Sequence, residues 1–251
     1  MADTVTLRVF RYGPEDGGEP HWQDYEVERR HDWTVLDALN WVKGHADGTL
    51  SYRWSCRMGI CGSCGMNIDG YPKLSCAAHL REYGDVIKIE PLANFPVVRD
   101  LVVDIDDFVH KKLPAVQPWI IRQTSEQPLS AEYLQSTAQV DEYYQFSSCI
   151  NCMLCYAACP VYGLEPEFLG PAAIALGRRY NLDSRDEGRG ERLPMLAASE
   201  GIWECSFVGE CSRACPKGVD PAKAIQQTKF DTVNDKLFDT MLMPFGGRKR
   251  G

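Results

Sequence analysis

Apolar and polar residues alternate at the start of the chain, where Val5, Leu7 and Val9 sit between Thr4, Thr6 and Arg8. A period of two predicts a half-buried strand. The period then lengthens: Val35, Leu36, Leu39 and Val42 recur at helical spacing, and Asp32 or Thr34 stands where an N-cap is needed. Short strands are predicted over residues 66–68 and 86–90, beyond a cysteine-rich loop. Together these define a small α+β domain over residues 1–104. Pro114, Pro118 and the polar Thr124-Ser125-Glu126 read as an irregular crossing. Residues 105–251 read as a largely helical domain. Pro171, after Gly170, opens a helix through Ile174, Ala175 and Arg178, and Pro221 opens another through Ile225 and Lys229.

The composition, 251 residues with 44% hydrophobic and 25% charged, suits a globular protein with a real core. A net charge of −8 argues against a nucleic-acid surface, which needs clustered Lys and Arg. The Arg248-Lys249-Arg250 tail reads as solvated. No run approaches the roughly 20 apolar residues that span a bilayer, so membrane attachment is expected through a partner. Met1-Ala2-Asp3-Thr4 is unlike a secretory signal, so the protein is expected on the cytoplasmic side.

Cysteine changes this picture. The chain has 11, most of them in tight groups, which suits metal or cluster ligation in a reducing compartment better than a disulfide framework. Cys56, Cys61 and Cys64 stand in C-x4-C-x2-C spacing, with Cys76 completing four, the plant-type pattern for a [2Fe–2S] cluster. Gly59, Gly62 and Gly65 allow the close backbone approach that such a loop requires. A four-cysteine zinc site is disfavoured because it normally uses two C-x2-C knuckles and this group has one. The gap from Cys64 to Cys76 is shorter than in plant ferredoxins, so that likeness is distant.

Cys149, Cys152, Cys155 and Cys159 followed by Pro160 form a complete C-x2-C-x2-C-x3-C-P run, the bacterial ferredoxin signature. In two-cluster ferredoxins the fourth cysteine of each run ligates the other cluster, so a second run is required. It lies at residues 205–216, with Cys205, Cys211 and Cys215-Pro216 in place and Val208 where the middle cysteine should stand. Crossing the ligands gives Cys149, Cys152, Cys155 and Cys215 for a [4Fe–4S] cluster, and Cys159, Cys205 and Cys211 for a [3Fe–4S] cluster. All cysteines are then used, with none left for nucleophilic catalysis. Three redox centres in one small protein suggest a wire.

A plant-type cluster domain followed by a helical domain with these two runs resembles the iron–sulfur subunit of succinate dehydrogenase and fumarate reductase. The resemblance implies an N-terminal β-grasp ferredoxin domain and an α-helical, bacterial-ferredoxin-like second domain. It further implies a flavoprotein subunit carrying FAD and the dicarboxylate chemistry, a transmembrane anchor, and electrons passing from FAD through the two-, four- and three-iron clusters to quinone. Segments such as Tyr156-Ala157-Ala158, Asn181-Leu182-Asp183 and Val219-Asp220-Pro221 look like the menaquinol-dependent fumarate reductase branch. Ubiquinone-reducing members carry a Trp and a His where this chain has Leu164 and Ser206. In the fumarate reductases the residues facing quinone correspond to Ser206, Phe207, Gln226 and Lys229 here; a solvated helix face is the plainer reading for them. Other uses of the same clusters are a second type of flavin-linked quinone oxidoreductase, or a soluble polyferredoxin-type carrier.

The remaining polar and aromatic residues read as structural. His21, His31, His45, His79 and His110 lie outside the cysteine motifs, which disfavours a Rieske-type centre. Trp54, Trp119 and Trp203 read as packing residues. Asp104, Asp106 and Asp107 read as a solvated edge or a partner contact. No G-x-G-x-x-G follows a strand, so no dinucleotide site is expected.

Overall fold

The computed structural model describes residues 3–13, 17–122 and 132–242, with side chains to residue 235. Thr124-Ser125-Glu126 and the Arg248-Lys249-Arg250 tail lie outside these residues.

Strand β1 (Thr4–Arg11) buries Val5, Leu7 and Val9, as its alternation predicts. It pairs antiparallel with β2 (His21–Glu28), and helix α1 (Val35–His45) packs over the same core. Of the two candidate caps, Thr34 is the one used: its hydroxyl accepts from the Asp37 N–H while the Asp37 carboxylate accepts from the Thr34 N–H. Asp32 instead contacts His31 on the exposed surface. After the cysteine loop come β3 (Gly65–Ile68), β4 (Tyr71–Leu74) and β5 (Val86–Glu90). The sheet order is β2-β1-β5-β3-β4, with β1 and β5 parallel and the other pairs antiparallel. Pro72 is tolerated in β4 because that strand lies at the sheet edge. A small ribbon of β6 (Val97–Arg99) and β7 (Val102–Val103) follows.

Arg11 anchors the approach to the cysteine loop. Its guanidinium donates to Asp100, Asp47, Tyr25, Gln23 and Thr49, and Asp100 also accepts from the Tyr12 and Ser51 N–H groups. Burial opposes ionisation of Asp47, yet bonds from Thr49, Tyr25 and Arg11 hold its carboxyl well below the usual range.

A wide turn over Phe108–Lys112 continues into α2 (Leu113–Ala115), so Pro114 lies inside a helical segment instead of the irregular crossing expected for it. The acidic residues before it lie on the surface, as the solvated-edge reading expects, and are paired there. The Asp104 carboxylate accepts from the Asp106 N–H, and Asp106 and Asp107 face His110, Lys111 and Lys112. Pro118 does lie in irregular chain. Arg192, fully buried, pins that stretch by donating to the Gln117 and Trp119 carbonyls while paired with the equally buried Asp186.

Helices α3 (Thr137–Ser147), α4 (Leu154–Ala157), α5 (Pro160–Leu164), α6 (Pro171–Asn181), α7 (Arg189–Leu196), α8 (Glu210–Arg213) and α9 (Pro221–Leu242) form the second half. Pro171 and Pro221 open α6 and α9, where a missing N–H leaves no bond unmade. The core here joins Tyr156, Phe168, Ile174 and Ile225 to Phe108 and Leu92. Trp54, Trp119 and Trp203, expected to pack, are substantially exposed instead; Trp54 lies under Arg57 and Trp203 under Lys229.

Candidate functional site: three cysteine groups

The loop carrying Cys56, Cys61 and Cys64 leads into β3, and Cys76 lies in a short turn directly after β4. Pairing of β3 with β4 therefore carries Cys76 back towards the loop, and Ser75 fixes the return through two bonds to the Cys64 carbonyl. The loop backbone turns inward: the N–H groups of Met58, Ile60 and Cys61 donate to the Cys56 sulfur at 3.4, 3.3 and 3.3 Å. The Cys56 N–H, with help from Ser63, draws the Cys61 thiol down to about 6. Burial, and then the neighbouring Cys64, push Cys76 up to about 11.

The helical half holds two further groups. Cys149, Cys152, Cys155 and Cys215 line one cavity, walled by Ala172, Ala175 and Val219. Cys159, Cys205 and Cys211 line another, with Val208, Ser206 and Phe207 at its edge. Each cavity thus contains the last cysteine of the opposite run. The exchange follows from the helices: α4 starts on the residue before Cys155 and α8 on the residue before Cys211, the third ligand position of each run, and each run turns back at its Cys-Pro. Burial pushes Cys152 and Cys211 up to about 11, raises Cys149 and Cys159, and lifts the fully buried Cys155 well above its ordinary value.

Sulfur-lined cavities with inward N–H groups suit iron–sulfur clusters, whose iron deprotonates thiols that burial alone would keep protonated. Among the described residues, no three Cys, His, Asp or Glu side chains converge closely enough to hold a single metal ion.

The first two groups touch. A Cβ on Gly62 would stand 2.9 Å from both the Cys152 Cβ and the Ile150 carbonyl oxygen, and one on Gly65 would stand 3.1 Å from the Cys152 carbonyl oxygen. These glycines let one cysteine loop pack on the other, whereas Gly59, with φ +67° and nothing within 4 Å of an added Cβ, holds the turn and offers its backbone N–H to Cys76. A cavity between the halves is lined by Arg53, Ser63, Leu113, Ile150 and Asn151 among others.

Two contributors escaped the sequence reading. Asn94, from the first half, donates its amide to the carbonyls of Tyr156, Ala157 and Cys159, ending α4. Arg53 donates to the Val103 carbonyl beside the first loop. Neither belongs to a motif, and each acts across a long sequence separation.

Of the residues singled out for quinone, Ser206 and Phe207 line the three-cysteine cavity and are exposed, Phe207 at 58% and its neighbour Val208 at 56%. Lys229 is not a free solvated side chain: its ammonium donates to the Cys205 carbonyl at 2.8 Å. Gln226 lies one turn earlier on α9, and its amide nitrogen is buried without a partner. Among the described residues, no helix is long and apolar enough to cross a membrane.

Residues 6–110 match the family of 2Fe-2S iron-sulfur cluster binding domains, and residues 145–219 match that of 4Fe-4S dicluster domains. The chain is 56% identical over 248 residues to the fumarate reductase iron-sulfur subunit of Mycobacterium tuberculosis, covering 98% of this chain and all of that one. It is 52% identical over 245 residues to the Escherichia coli subunit of the same name, covering 96% and 99%. A solved Mycobacterium smegmatis Sdh1 complex contains a chain similar to it with TM-score 0.80 and 31% identity, covering 94% of this chain and 98% of that one. Near-complete coverage at these identities makes the chain a member of the fumarate reductase iron–sulfur subunit family, an electron-transfer subunit of that respiratory complex and not its catalytic one.

Proposed function

We propose that this subunit carries single electrons through three clusters: [2Fe–2S] on Cys56, Cys61, Cys64 and Cys76, [4Fe–4S] on Cys149, Cys152, Cys155 and Cys215, and [3Fe–4S] on Cys159, Cys205 and Cys211. The observation that carries the reading is the exchange of Cys159 and Cys215 between the two helical cavities. Iron–sulfur clusters supply one-electron centres whose potentials are set by cluster type, hydrogen bonds to sulfur and exposure. The protein holds the thiolates, packs the first loop on the second through Gly62 and Gly65, and keeps the middle site in an apolar wall.

The two ends differ in a way that supports a direction along the chain. Met58, 72% exposed, and Ile60, 56% exposed, flank the two-iron loop and suit docking of an FAD-bearing flavoprotein subunit, where fumarate or succinate reacts. Phe207 and Val208, exposed at the rim of the three-cysteine cavity, and Trp203, exposed under Lys229, suit a transmembrane anchor and a menaquinone site on the cytoplasmic side of the membrane. Lys229, held by the Cys205 carbonyl, is the donor tied to that cavity, and Gln226, one turn earlier on α9, keeps a buried amide nitrogen without a partner that a quinone oxygen could use. The division into residues 1–104 and 105–251 fits this arrangement, one domain per end.

Low-temperature EPR on the assembled complex, oxidised and then dithionite-reduced, with iron and zinc quantified, tests the assignment. An oxidised three-iron signal with reduced two- and four-iron signals is expected. Zinc without those signals would overturn it.

A further inference from the structure

The cavity of Cys149, Cys152, Cys155 and Cys215 is walled almost entirely by apolar side chains; besides the cysteines, only Asn151 and Lys217 bring polar ones. The Asn151 side-chain oxygen lies 3.4 Å from the Cys149 sulfur and accepts from its thiol. Its backbone takes φ +51°, a left-handed conformation that Asn adopts more readily than most residues and that turns the side chain back towards its own run. Asn151 also lines the cavity between the halves, so it stands on the side of the four-cysteine group that faces the two-iron loop. The matching residue in the second run is Phe207, with φ +61° but no amide. One run thus carries a side-chain amide beside its first sulfur that its twin lacks.

We propose that Asn151 sets the reduction potential of the four-cysteine site by donating an amide hydrogen bond to the Cys149 sulfur. This rests on the ligand assignment above. As a neutral thiol, Cys149 donates to the Asn151 carbonyl oxygen; as a thiolate ligand it can only accept, and the amide turns its NH2 end to the sulfur. Reduction adds one electron, drawn from the reduced two-iron site, with no proton moved and no bond broken. The added negative charge is shared by the sulfurs, so a donor there favours the reduced form. A hydrogen bond to a charged group is worth about 1.5 kcal/mol or more, which is roughly tenfold in an equilibrium constant.

The test is an EPR potentiometric titration of the assembled complex carrying Asn151→Asp or Asn151→Leu. Asp keeps the size and tolerates the left-handed backbone, but can only accept and is charged; Leu removes the amide and excludes water. In Asn151→Leu the reduction equilibrium of the four-iron signal should fall about tenfold, which is about 59 mV for a one-electron couple. Asn151→Asp should fall further, and the two- and three-iron midpoints should stay in place. An unshifted four-iron midpoint in either loaded variant overturns the proposal. Loss of the four-iron signal from both variants also overturns it, because Asn151 would then hold the site together and not tune it. Failure of the ligand assignment is a separate result, since the wild-type complex itself would lack the four-iron signal.

Discussion

The two cysteine runs of the helical half are the same length and almost the same shape. Asn151 and Met153 in the first have φ +51° and +64°; Phe207 and Gly209, at the matching places in the second, have +61° and +84°. Each run then enters a one-turn helix, Leu154–Ala157 or Glu210–Arg213. Yet one presents Cys152 where the other presents Val208. The backbone does not force this loss, because the chain wraps its cavity in the same way without the ligand. What differs is the cover. Cys152 is pressed against Gly62 and Gly65 of the first loop, while Val208 and Phe207 face outward. The missing thiolate thus lies on the open, apolar side, and the complete set lies where the two halves meet.

The sharpest way to break the comparison is to give the first run the residue of the second. Cys152→Val should cost the complex its reduced four-iron signal, add a second oxidised three-iron signal and remove one iron per chain. The branched side chain also presses on Gly62, so overpacking should lower stability by about 1–3 kcal/mol. EPR with iron analysis reads both signals. Loss of all signal from that cavity would mean that the twin backbones are not equivalent supports. The reverse exchange, Val208→Cys, should have a milder effect, since position 208 is open: the three-iron signal of the oxidised protein should vanish and one iron be gained. An unchanged oxidised signal would sink the crossed ligand scheme.

How the halves meet decides the next prediction. Gly62→Ala introduces a Cβ 2.9 Å from the Cys152 Cβ and the Ile150 oxygen at a residue with φ +74°, whereas Gly59→Ala meets nothing within 4 Å at φ +67°. The second change should cost about 1–2 kcal/mol from backbone strain alone. The first should add about 1–3 kcal/mol of overpacking and shift the thermal midpoint further. Equal shifts would show that the loops do not depend on this contact.

That contact also marks where sequence stopped being informative. Strand β1, helix α1, β5 and the openings of α6 and α9 follow from local periodicity and capping chemistry, and the cysteine spacings pointed to three groups. Strand β2 escaped because only Tyr25 and Val27 of its residues are buried, so its alternation is faint. Strand β4 escaped because Pro72 argues against a strand until its edge position is known. Asp104, Asp106 and Asp107 are the solvated edge that the sequence suggested, but the pairing of Asp106 and Asp107 with His110, Lys111 and Lys112 follows only once a helical turn exists. The spacing of Gly62 and Gly65 suggested room for a cluster; that the room admits Ile150 and Cys152 depends on residues far along the chain. Asn94 and Arg53 are of the same kind: one polar residue reaching a distant carbonyl leaves no periodic trace.

The smallest effect tests whether the shared shape is a demand of the sites or a habit of glycine. Gly209 has φ +84°, and a Cβ added there would meet nothing within 4 Å, so Gly209→Ala should cost only the left-handed backbone strain, about 1–2 kcal/mol. Met153 shows that a side chain can be held in this conformation when burial offsets the strain, since it is 2% exposed in the main core. Alanine at 209 has no such burial to draw on. The oxidised three-iron signal should therefore persist in Gly209→Ala while the thermal midpoint falls by a few degrees. If the signal is lost instead, the second run holds its cavity by a narrower margin than the first, and the cover that Gly62 and Gly65 give to Cys152 would be the reason the first run can carry methionine there.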